Sequence, residues 1–340
     1  MILFSISLPS FKKINWPKIK VSRKPKTKKK EVPKEYFLIF SFLLSLLAIL
    51  LFLLIGLEIV KTPGPDIKKT LGFKELLPTP APYPLNKRVS APPSFSARSV
   101  IALDAASMVS LYQKNAEEKV FPASTSKIMT ALVSLDFYPL SQVLKVAEFE
   151  IEGNQIGLIA DEEITVENLL YGLLVGSGND AALVLAQNYP GGISAFVEAM
   201  NQKAAQLQLK NTRFTNPIGF DEEGHFSSAQ DLARLTLAAV KNPTFAEIVS
   251  TPALVISDIS QTHSHFLKNT NELIGKLEGV RGVKTGWTQN AGECLIALIE
   301  RNGEKIVTVV LGSEDRFGET QALIGWIFEN FSWQTVLPDY

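Results

Sequence analysis

An uncharged segment near the N-terminus constrains the organisation of this chain more than any other feature. Residues 36–57 read YFLIFSFLLSLLAILLFLLIGL, which is long enough to cross the hydrocarbon core of a bilayer as one helix. A cleaved signal peptide has a shorter apolar region, of about 7 to 15 residues, followed by a small-residue cleavage site. No such site follows Leu57, and no polar face interrupts the segment as it would in a core helix. The sequence therefore predicts an uncleaved transmembrane helix over 36–60.

The distribution of charge orients this helix. Residues 1–35 carry 11 Lys and Arg against 2 acidic residues, whereas the remainder carries 23 against 32. The positive-inside rule places the basic tail, 1–35, in the cytoplasm and everything after Val60 outside. An acidic remainder disfavours nucleic-acid binding, and the tail is better suited to anionic lipid headgroups than to DNA. The predicted localisation is the cell membrane, single-pass, with most of the chain extracytoplasmic.

Proline dominates the segment that follows. Residues 61–97 contain prolines at 63, 65, 78, 80, 82, 84, 92 and 93, a density that favours extended polyproline II. We interpret 61–97 as an extracytoplasmic stalk and 98–340 as one globular domain. The single Cys294 excludes an internal disulfide and fits a buried strand position.

The pattern of the domain predicts an α+β fold. SVIALDAASMVSLYQKN indicates two strands around a turn at 105–108, and GECLIALIERNGEKIVTVVLG indicates a second hairpin that turns at Asn302-Gly303. Helical periodicity lies between them, over 125–135, 165–175, 180–187, 192–207 and 228–240, and returns in FGETQALIGWIFENF. We therefore expect an antiparallel sheet built from both ends of the domain and flanked by helices.

The segment FPASTSKIMTALV carries the first candidate chemistry. Ser124 and Lys127 are three residues apart at a helix start, so their side chains share one face. A serine becomes nucleophilic when a base takes its proton, and a lysine serves as that base only if burial or another cation lowers its pKa. Without further support, Ser124 would be an ordinary helix cap and Lys127 a solvated lysine.

Two further motifs supply that support. LLVGSGNDAALVLA places Ser177-Gly178-Asn179 between two helices, and GVRGVKTGWT places Lys284-Thr285-Gly286 before the strand at 294–300. In this order S-x-x-K, S-x-N and K-T-G are the active-site motifs of penicillin-binding proteins and serine β-lactamases, with Gly here at the middle of the second. From Ser99 to Trp326 the chain resembles the low-molecular-mass D-alanyl-D-alanine carboxypeptidases, with a β-lactamase/transpeptidase-like domain.

The resemblance implies a role for each motif residue. Ser124 would be the acylated nucleophile and Lys127 its base, Ser177 would relay a proton to the leaving amine, and Asn179 would orient substrate and lysine. Lys284 and Thr285, followed by Gly286, would hold the substrate's terminal carboxylate, and the backbone N–H groups of Ser124 and Trp287 would form the oxyanion hole. The implied function is a membrane-anchored serine D,D-carboxypeptidase that acts on peptidoglycan stem peptides, needs no cofactor and is acylated by β-lactam antibiotics.

Other functions stay open at this point. A D,D-endopeptidase or a serine β-lactamase would share the acylation motifs, although the Glu-x-x-Leu-Asn element of class A β-lactamases is absent from 211–225. A catalytically silent wall-binding protein would retain the domain without the chemistry. Val283 replaces the glycine that a phosphate-binding loop requires before its lysine. His263 and His265 have no nearby His or Cys that would complete a zinc site, and we predict no metal.

Overall fold

The computed structural model describes residues 34–61 and 82–335. These fall into two units, of which the first is helix α1, Lys34–Lys61, and the second begins within the proline-rich segment. In α1 the side chains of Glu35 and of residues 38–54 are described. Over the described residues, no helix combines the length and the hydropathy that crossing a membrane requires. The transmembrane helix stays a prediction, and the basic tail and most of the stalk lie outside the described residues.

A five-stranded antiparallel sheet forms the centre of the second unit. Its strands are β2 (Ser99–Asp104), β3 (Ser110–Lys114), β8 (Val280–Thr288), β9 (Gly292–Arg301) and β10 (Glu304–Ser313). They lie in the order β3-β2-β10-β9-β8, so that strands from the two ends of the domain lie side by side. Both predicted hairpins are confirmed, because β2 pairs with β3 and β9 pairs with β10 around Asn302-Gly303.

Helices cover both faces of this sheet. One apolar cluster contains Ile101, Ile296 and Val309 and packs against the helices inserted between the two ends of the domain. A second cluster, on the opposite face, contains Val100 and Leu295 and packs against the last helix. Because strand residues alternate between faces, a sheet covered on both sides needs nearly continuous apolar strands, and β2 is buried at every position. The predicted α+β architecture is confirmed.

Between β3 and residue 335, the last residue that the structure describes, there are seven helices, the first of which follows a 3₁₀ turn at Ala123–Ser126. They are α2 (Lys127–Phe137), α3 (Val166–Leu174), α4 (Asn179–Gln187), α5 (Gly192–Gln206), α6 (Ala229–Ala239), α7 (Pro243–Ser250) and α8 (Arg316–Asn330). Every helix predicted from periodicity is present, with bounds that differ by at most a few residues. Side-chain caps mark several starts: Thr165 accepts from the backbone N–H of Asn168, and Ser228 accepts from that of Asp231.

Strand β8 of the central sheet was not predicted, because the sequence pattern predicts the third motif before a strand and not within one. Also unpredicted are α7 and three two-stranded ribbons, which pair β4 (Val143–Lys145) with β5 (Glu163–Thr165), β6 (Ala253–Ser257) with β7 (Ser264–Lys268), and β1 (Tyr83–Asn86) with β11 (Phe331–Gln334). Strand β1 lies inside the range interpreted as a stalk. Proline lacks an N–H but is tolerated in an edge strand, so Pro84 can pair opposite Trp333. The domain therefore includes residues that their proline content assigned to the stalk.

Candidate active site

Ser124 lies in a tight turn at the start of a helix. The turn is the 3₁₀ segment Ala123–Ser126, which runs directly into α2. Ala123 has a φ of +49°, in the left-handed region that residues with a β-carbon adopt at a cost. Ser124 lines a cavity of about 590 Å³. The surrounding fold thus holds the hydroxyl on an unusual backbone at the edge of an open cleft.

Two glycines let neighbouring segments approach this turn closely. A β-carbon on Gly219, whose φ is +93°, would lie 2.0 Å from the carbonyl oxygen of Ala123. A β-carbon on Gly286 would lie 3.0 Å from the backbone nitrogen of Ser124. Glycine at these positions removes both obstructions. The glycine of the third motif is therefore explained by the contact between β8 and the turn that carries the nucleophile.

Lys127 is completely buried beneath this turn. Its Nζ lies 3.0 Å from Oγ of Ser124, 2.7 Å from Oδ1 of Asn179 and 2.7 Å from the carbonyl oxygen of Ile218. Burial lowers the pKa of Lys127 well below its usual value, and the positive charge of Lys284 lowers it further. These are the two causes that a lysine base requires.

The partners of Lys127 determine where its lone pair points. The Asn179 Oδ1 and Ile218 carbonyl oxygens are acceptors only, so a neutral amine satisfies them by donating its two N–H groups. The lone pair that remains faces the third partner, the hydroxyl of Ser124. A neutral Lys127 is thus arranged to accept the Ser124 proton, which an ammonium ion could not do.

The second and third motifs meet at a hydrogen bond between Ser177 and Lys284. Ser177 has a φ of +57° in the turn between α3 and α4, and its Oγ accepts from Nζ of Lys284 at 2.7 Å. Lys284 is 1% exposed, and burial, followed by the charge of Arg316, lowers its pKa to about 7. The next residue, Thr285, pairs its hydroxyl with that of Thr270 at 2.6 Å.

The fold brings all eight predicted site residues to one place. Six of them line the cavity: Ser124, Ser177, Asn179, Thr285, Gly286 and Trp287. The two lysines lie behind this surface and contact Ser124 and Ser177 through their Nζ atoms. The side chain of Trp287 stands at the rim and is 63% exposed.

Sequence reasoning missed several residues that complete the site. Arg316, the first residue of α8, lines the cavity and donates from Nη1 to the carbonyl oxygen of Gly286 at 3.1 Å. Thr270, Glu152 and Asn154 also line it. None belongs to a recognisable motif, because each reaches the cavity only through the packing of distant segments. Asp180 follows the second motif directly, but an acid in the first turn of a helix already has an ordinary explanation.

The three histidines do not line this cavity. His265 is buried, and its Nε2 lies 2.8 Å from Oε1 of Glu162, while His263 precedes β7 rather than sharing a strand face with it. Buried His225 lies 2.9 Å from Oγ of Ser126 through Nε2, and its Nδ1 accepts from the backbone N–H of Thr215. Within residues 34–61 and 82–335 no three His, Cys, Asp or Glu side chains are grouped as metal ligands.

Comparison with known proteins identifies the family. Residues 86–315 match the sequence profile of D-alanyl-D-alanine carboxypeptidases. The chain belongs to the D-alanyl-D-alanine carboxypeptidase family. It is 35% identical over 245 residues to D-alanyl-D-alanine carboxypeptidase DacF of Bacillus subtilis, a match that covers 69% of this chain and 63% of that protein. The chain thus spans less than two thirds of the length of that relative. The predicted family is confirmed.

Other proteins to which this chain is similar carry related names. A D-alanyl-D-alanine endopeptidase of Pseudomonas aeruginosa is 36% identical over 225 residues, which cover 64% of this chain and 72% of that protein. The crystal structure of the Streptomyces K15 DD-transpeptidase superimposes with a TM-score of 0.66 at 30% identity and covers 71% of this chain and all of that one. The transpeptidase-like fold expected from the motifs is therefore confirmed.

Proposed function

We propose that this chain is a serine D,D-carboxypeptidase that removes the terminal D-alanine from peptidoglycan stem peptides. The observation that carries this proposal is the set of contacts at Lys127. Two acceptors occupy its N–H groups, and its lone pair faces the Ser124 hydroxyl at 3.0 Å. A catalytically silent wall-binding domain would not need a lysine that is buried with a lowered pKa beside a serine.

Acylation follows from this geometry. Lys127 takes the proton of the Ser124 hydroxyl, and Oγ attacks the carbonyl carbon of the D-alanyl-D-alanine bond. The oxyanion that forms accepts from the backbone N–H groups of Ser124 and Trp287, whose segments meet at Gly286. Ser177 then gives its hydroxyl proton to the departing nitrogen as the C–N bond breaks, and the proton that Lys127 took from Ser124 restores the Ser177 hydroxyl. D-Alanine leaves, and the remaining peptide is held on Ser124 as an ester that water hydrolyses.

A second group of residues at the cavity is suited to bind the substrate's free carboxylate. Lys284 and Arg316 supply two positive charges there, and the hydroxyls of Thr285 and Thr270 supply donors. A terminal carboxylate compensates the repulsion between the two cations, which otherwise contributes to the lowered pKa of Lys284. This arrangement suits an exopeptidase, because an internal peptide bond has no carboxylate beside it.

Two acids of the 211–225 segment, Asp221 and Glu222, disfavour a class A β-lactamase. Glu222 accepts from the side chains of Thr215 and Asn216 and is not part of the cavity wall. Asp221 lines the cavity but accepts from the Thr288 hydroxyl and from the backbone N–H of Asn290. Neither is free to activate water against a penicilloyl ester. We expect penicillin to give a rapid stoichiometric burst and then a long-lived adduct.

Labelling with a fluorescent penicillin, followed by peptide mapping and an assay of D-alanine release from a pentapeptide, tests this function. Ser124→Ala should abolish both the label and the release. Ser134→Ala is the matched control, because Ser134 lies in α2 and its hydroxyl donates only to the carbonyl of Thr130. Label on another serine would refute the assignment of Ser124. Steady penicillin hydrolysis without D-alanine release would make the protein a β-lactamase.

A D,D-endopeptidase is a second candidate, because the Pseudomonas aeruginosa relative bears that name. The same preparation, incubated with a cross-linked stem-peptide dimer, distinguishes the two. Conversion of the dimer to monomers at a rate comparable to D-alanine release, and its loss in Ser124→Ala, would assign both activities to Ser124. An unchanged dimer would restrict the enzyme to free C-termini.

We further propose that residues 36–57 anchor the enzyme in the cell membrane, with the basic tail inside and the catalytic domain outside. The support is the uncharged apolar sequence and the 11 basic residues that precede or adjoin it within 1–35. The native Cys294 is buried, so a surface cysteine can be introduced and labelled selectively. In intact cells, a membrane-impermeant maleimide should label Thr79→Cys but not Ser22→Cys. The reverse pattern would invert the topology, and equal labelling would contradict the span.

A further inference from the structure

A loop without helix or strand forms one wall of the catalytic cavity. It comprises residues 152–158, of which Glu152, Gly153 and Asn154 line the cavity. A segment without regular structure has no backbone ladder to hold it, so its position must come from other hydrogen bonds. Those bonds come mainly from the two residues that begin α4, Asn179 and Asp180.

Asp180 holds the C-terminal half of this loop. Its carboxylate is completely buried and accepts from the backbone N–H groups of Ile156 at 2.9 Å, Gly157 at 2.9 Å and Leu158 at 3.2 Å. A fourth N–H, that of Ala181, donates to its Oδ1 at 2.9 Å. Backbone donors in this number stabilise an ionised carboxylate inside a protein. A neutral amide of the same shape would place its own N–H group against these donors.

Asn179 connects the loop to the catalytic lysine. Its backbone N–H donates to the carbonyl oxygen of Asn154, and its Nδ2 donates to the carbonyl oxygen of Glu152 at 2.8 Å. With Nδ2 turned toward the loop, Oδ1 must face the other way, where it accepts from Lys127 at 2.7 Å. The loop carbonyl therefore decides which atom of the Asn179 amide meets the lysine.

The negative charge of Asp180 also affects the pKa of Lys127. The charged groups that act on Lys127 are Lys284 from β8 and Asp180 from α4, and they act in opposite directions on its pKa. Glu152, Asp221 and Arg316 line the same cavity. Loss of the Asp180 charge would therefore leave the effect of Lys284 on Lys127 less compensated.

We propose that Asp180 is a positioning residue for the catalytic base. It fixes the loop at 156–158, and through the Glu152 carbonyl it sets the orientation of the Asn179 amide that holds Lys127. It also places a negative charge near the buried Lys127. This inference rests on the proposed function, because it assigns Asp180 a part in the acylation of Ser124.

The test is the pH dependence of the second-order rate of Ser124 acylation by a fluorescent penicillin, measured on the full chain. Asp180→Asn should lower this rate about tenfold or more, because the base is displaced. It should also move the acid limb of the profile to lower pH by about one unit, because Lys127 then loses its proton more easily. A merely structural role would lower the rate without moving the limb, and an unmoved limb overturns the proposal.

Asp231→Asn is the matched control. Asp231 is also a buried aspartate at the start of a helix, and its carboxylate accepts from the Thr212 hydroxyl and the backbone N–H of Asn211. It does not line the cavity, so its variant should keep the wild-type acid limb. A shift of the limb in Asp231→Asn as large as that in Asp180→Asn would also overturn the proposal. Absence of label on the wild-type protein would instead refute the proposed function.

Hydrogen exchange of the wild-type protein provides a second measurement that does not depend on the folding of a variant. The amides of 156–158 should exchange at least tenfold more slowly than those of 147–150 in the same irregular region, because their N–H groups donate hydrogen bonds to a buried carboxylate. Exchange at the same rate in both segments would show that Asp180 does not hold the loop, and would overturn the proposal.

Discussion

The Nζ atom of Lys284 lies 2.7 Å from the Oγ atom of Ser177, and this hydrogen bond joins two motifs that are 107 residues apart. It places the cation proposed to hold the substrate's carboxylate directly beside the hydroxyl proposed to protonate the leaving group. Binding of the terminal carboxylate and departure of the terminal residue are therefore coupled through one pair of side chains.

Lys284→Ala should impair the hydrolysis of peptides with a free C-terminus more than that of amidated peptides. A charge-assisted hydrogen bond contributes about 1.5 to 3 kcal/mol, so the loss in kcat/KM for the free carboxylate should be about tenfold or more. The ratio of kcat/KM for a matched pair of peptides measures this effect. Arg281→Ala removes an exposed cation from the same strand and should leave the ratio unchanged. Equal losses on both peptides would contradict the role of Lys284.

Gly219→Ala should reduce both the stability of the protein and the acylation of Ser124. The new β-carbon would meet the carbonyl oxygen of Ala123 at 2.0 Å, so the turn that carries the nucleophile must move. Gly275→Ala is the control, because Gly275 also has a positive φ, of +75°, but no atom lies within 4 Å of its β-carbon position. The control should lose only about 1 to 2 kcal/mol of unfolding free energy, the cost of a β-carbon at positive φ, and keep its acylation rate. Equal effects on acylation in the two variants would contradict the close approach at Gly219.

His225 should make the stability of the domain depend on pH. Burial lowers its pKa to about 4 from an ordinary value of 6.5, because a charged ring would lose its hydration inside the protein. The ring is therefore neutral at neutral pH, where it lies between Ser126 and Thr215. In the unfolded chain the ring takes up a proton as the pH falls through about 6.5, whereas the folded protein resists until about pH 4. The stabilisation is thus complete above pH 6.5 and is lost as the pH falls across this window, by up to about 3 kcal/mol.

Denaturant unfolding of wild type and His225→Gln at neutral pH and near pH 4 measures this contribution. The variant should be less stable than wild type at neutral pH, and the difference between them should shrink as the pH falls. Other titrating groups affect both proteins alike, so the difference isolates the histidine. A difference that is the same at both pH values would contradict a neutral buried ring.

Removal of strand β1 should destabilise the catalytic domain. Residues Tyr83–Asn86 pair with Phe331–Gln334, so a protein that begins at Pro92 lacks one strand of this ribbon. We expect it to lose about 1 to 3 kcal/mol of unfolding free energy relative to a protein that begins at Pro82. Both should react with penicillin, because the cavity is lined by residues from Ser124 onward. Equal stability of the two proteins would show that the ribbon does not contribute to the free energy of unfolding. Loss of penicillin labelling in the protein that begins at Pro82 would show that the segments before Pro82 assist the acylation of Ser124.

Local chemistry in the sequence determined most of the long elements and the reacting groups. The apolar alternation and the Asn302-Gly303 turn predicted the β9-β10 hairpin, and helical periodicity predicted every helix of the domain except α7. The spacing of Ser124 and Lys127 predicted their contact, because residues three apart on a helix share a face. These features depend on neighbours in sequence, so the pattern alone is sufficient.

Contacts between distant segments were decided only by the tertiary structure. The sequence names Lys284 and Ser177, but their hydrogen bond exists because β8 lies at the edge of the sheet next to the turn between α3 and α4. The Ile218 carbonyl that occupies an N–H of Lys127, and the Arg316 side chain above Gly286, have no motif that would reveal them. A backbone carbonyl is present at every position, and only packing selects the one that meets a buried amine. The pKa of Lys127 is likewise set by burial and by Lys284, and the fold decides both.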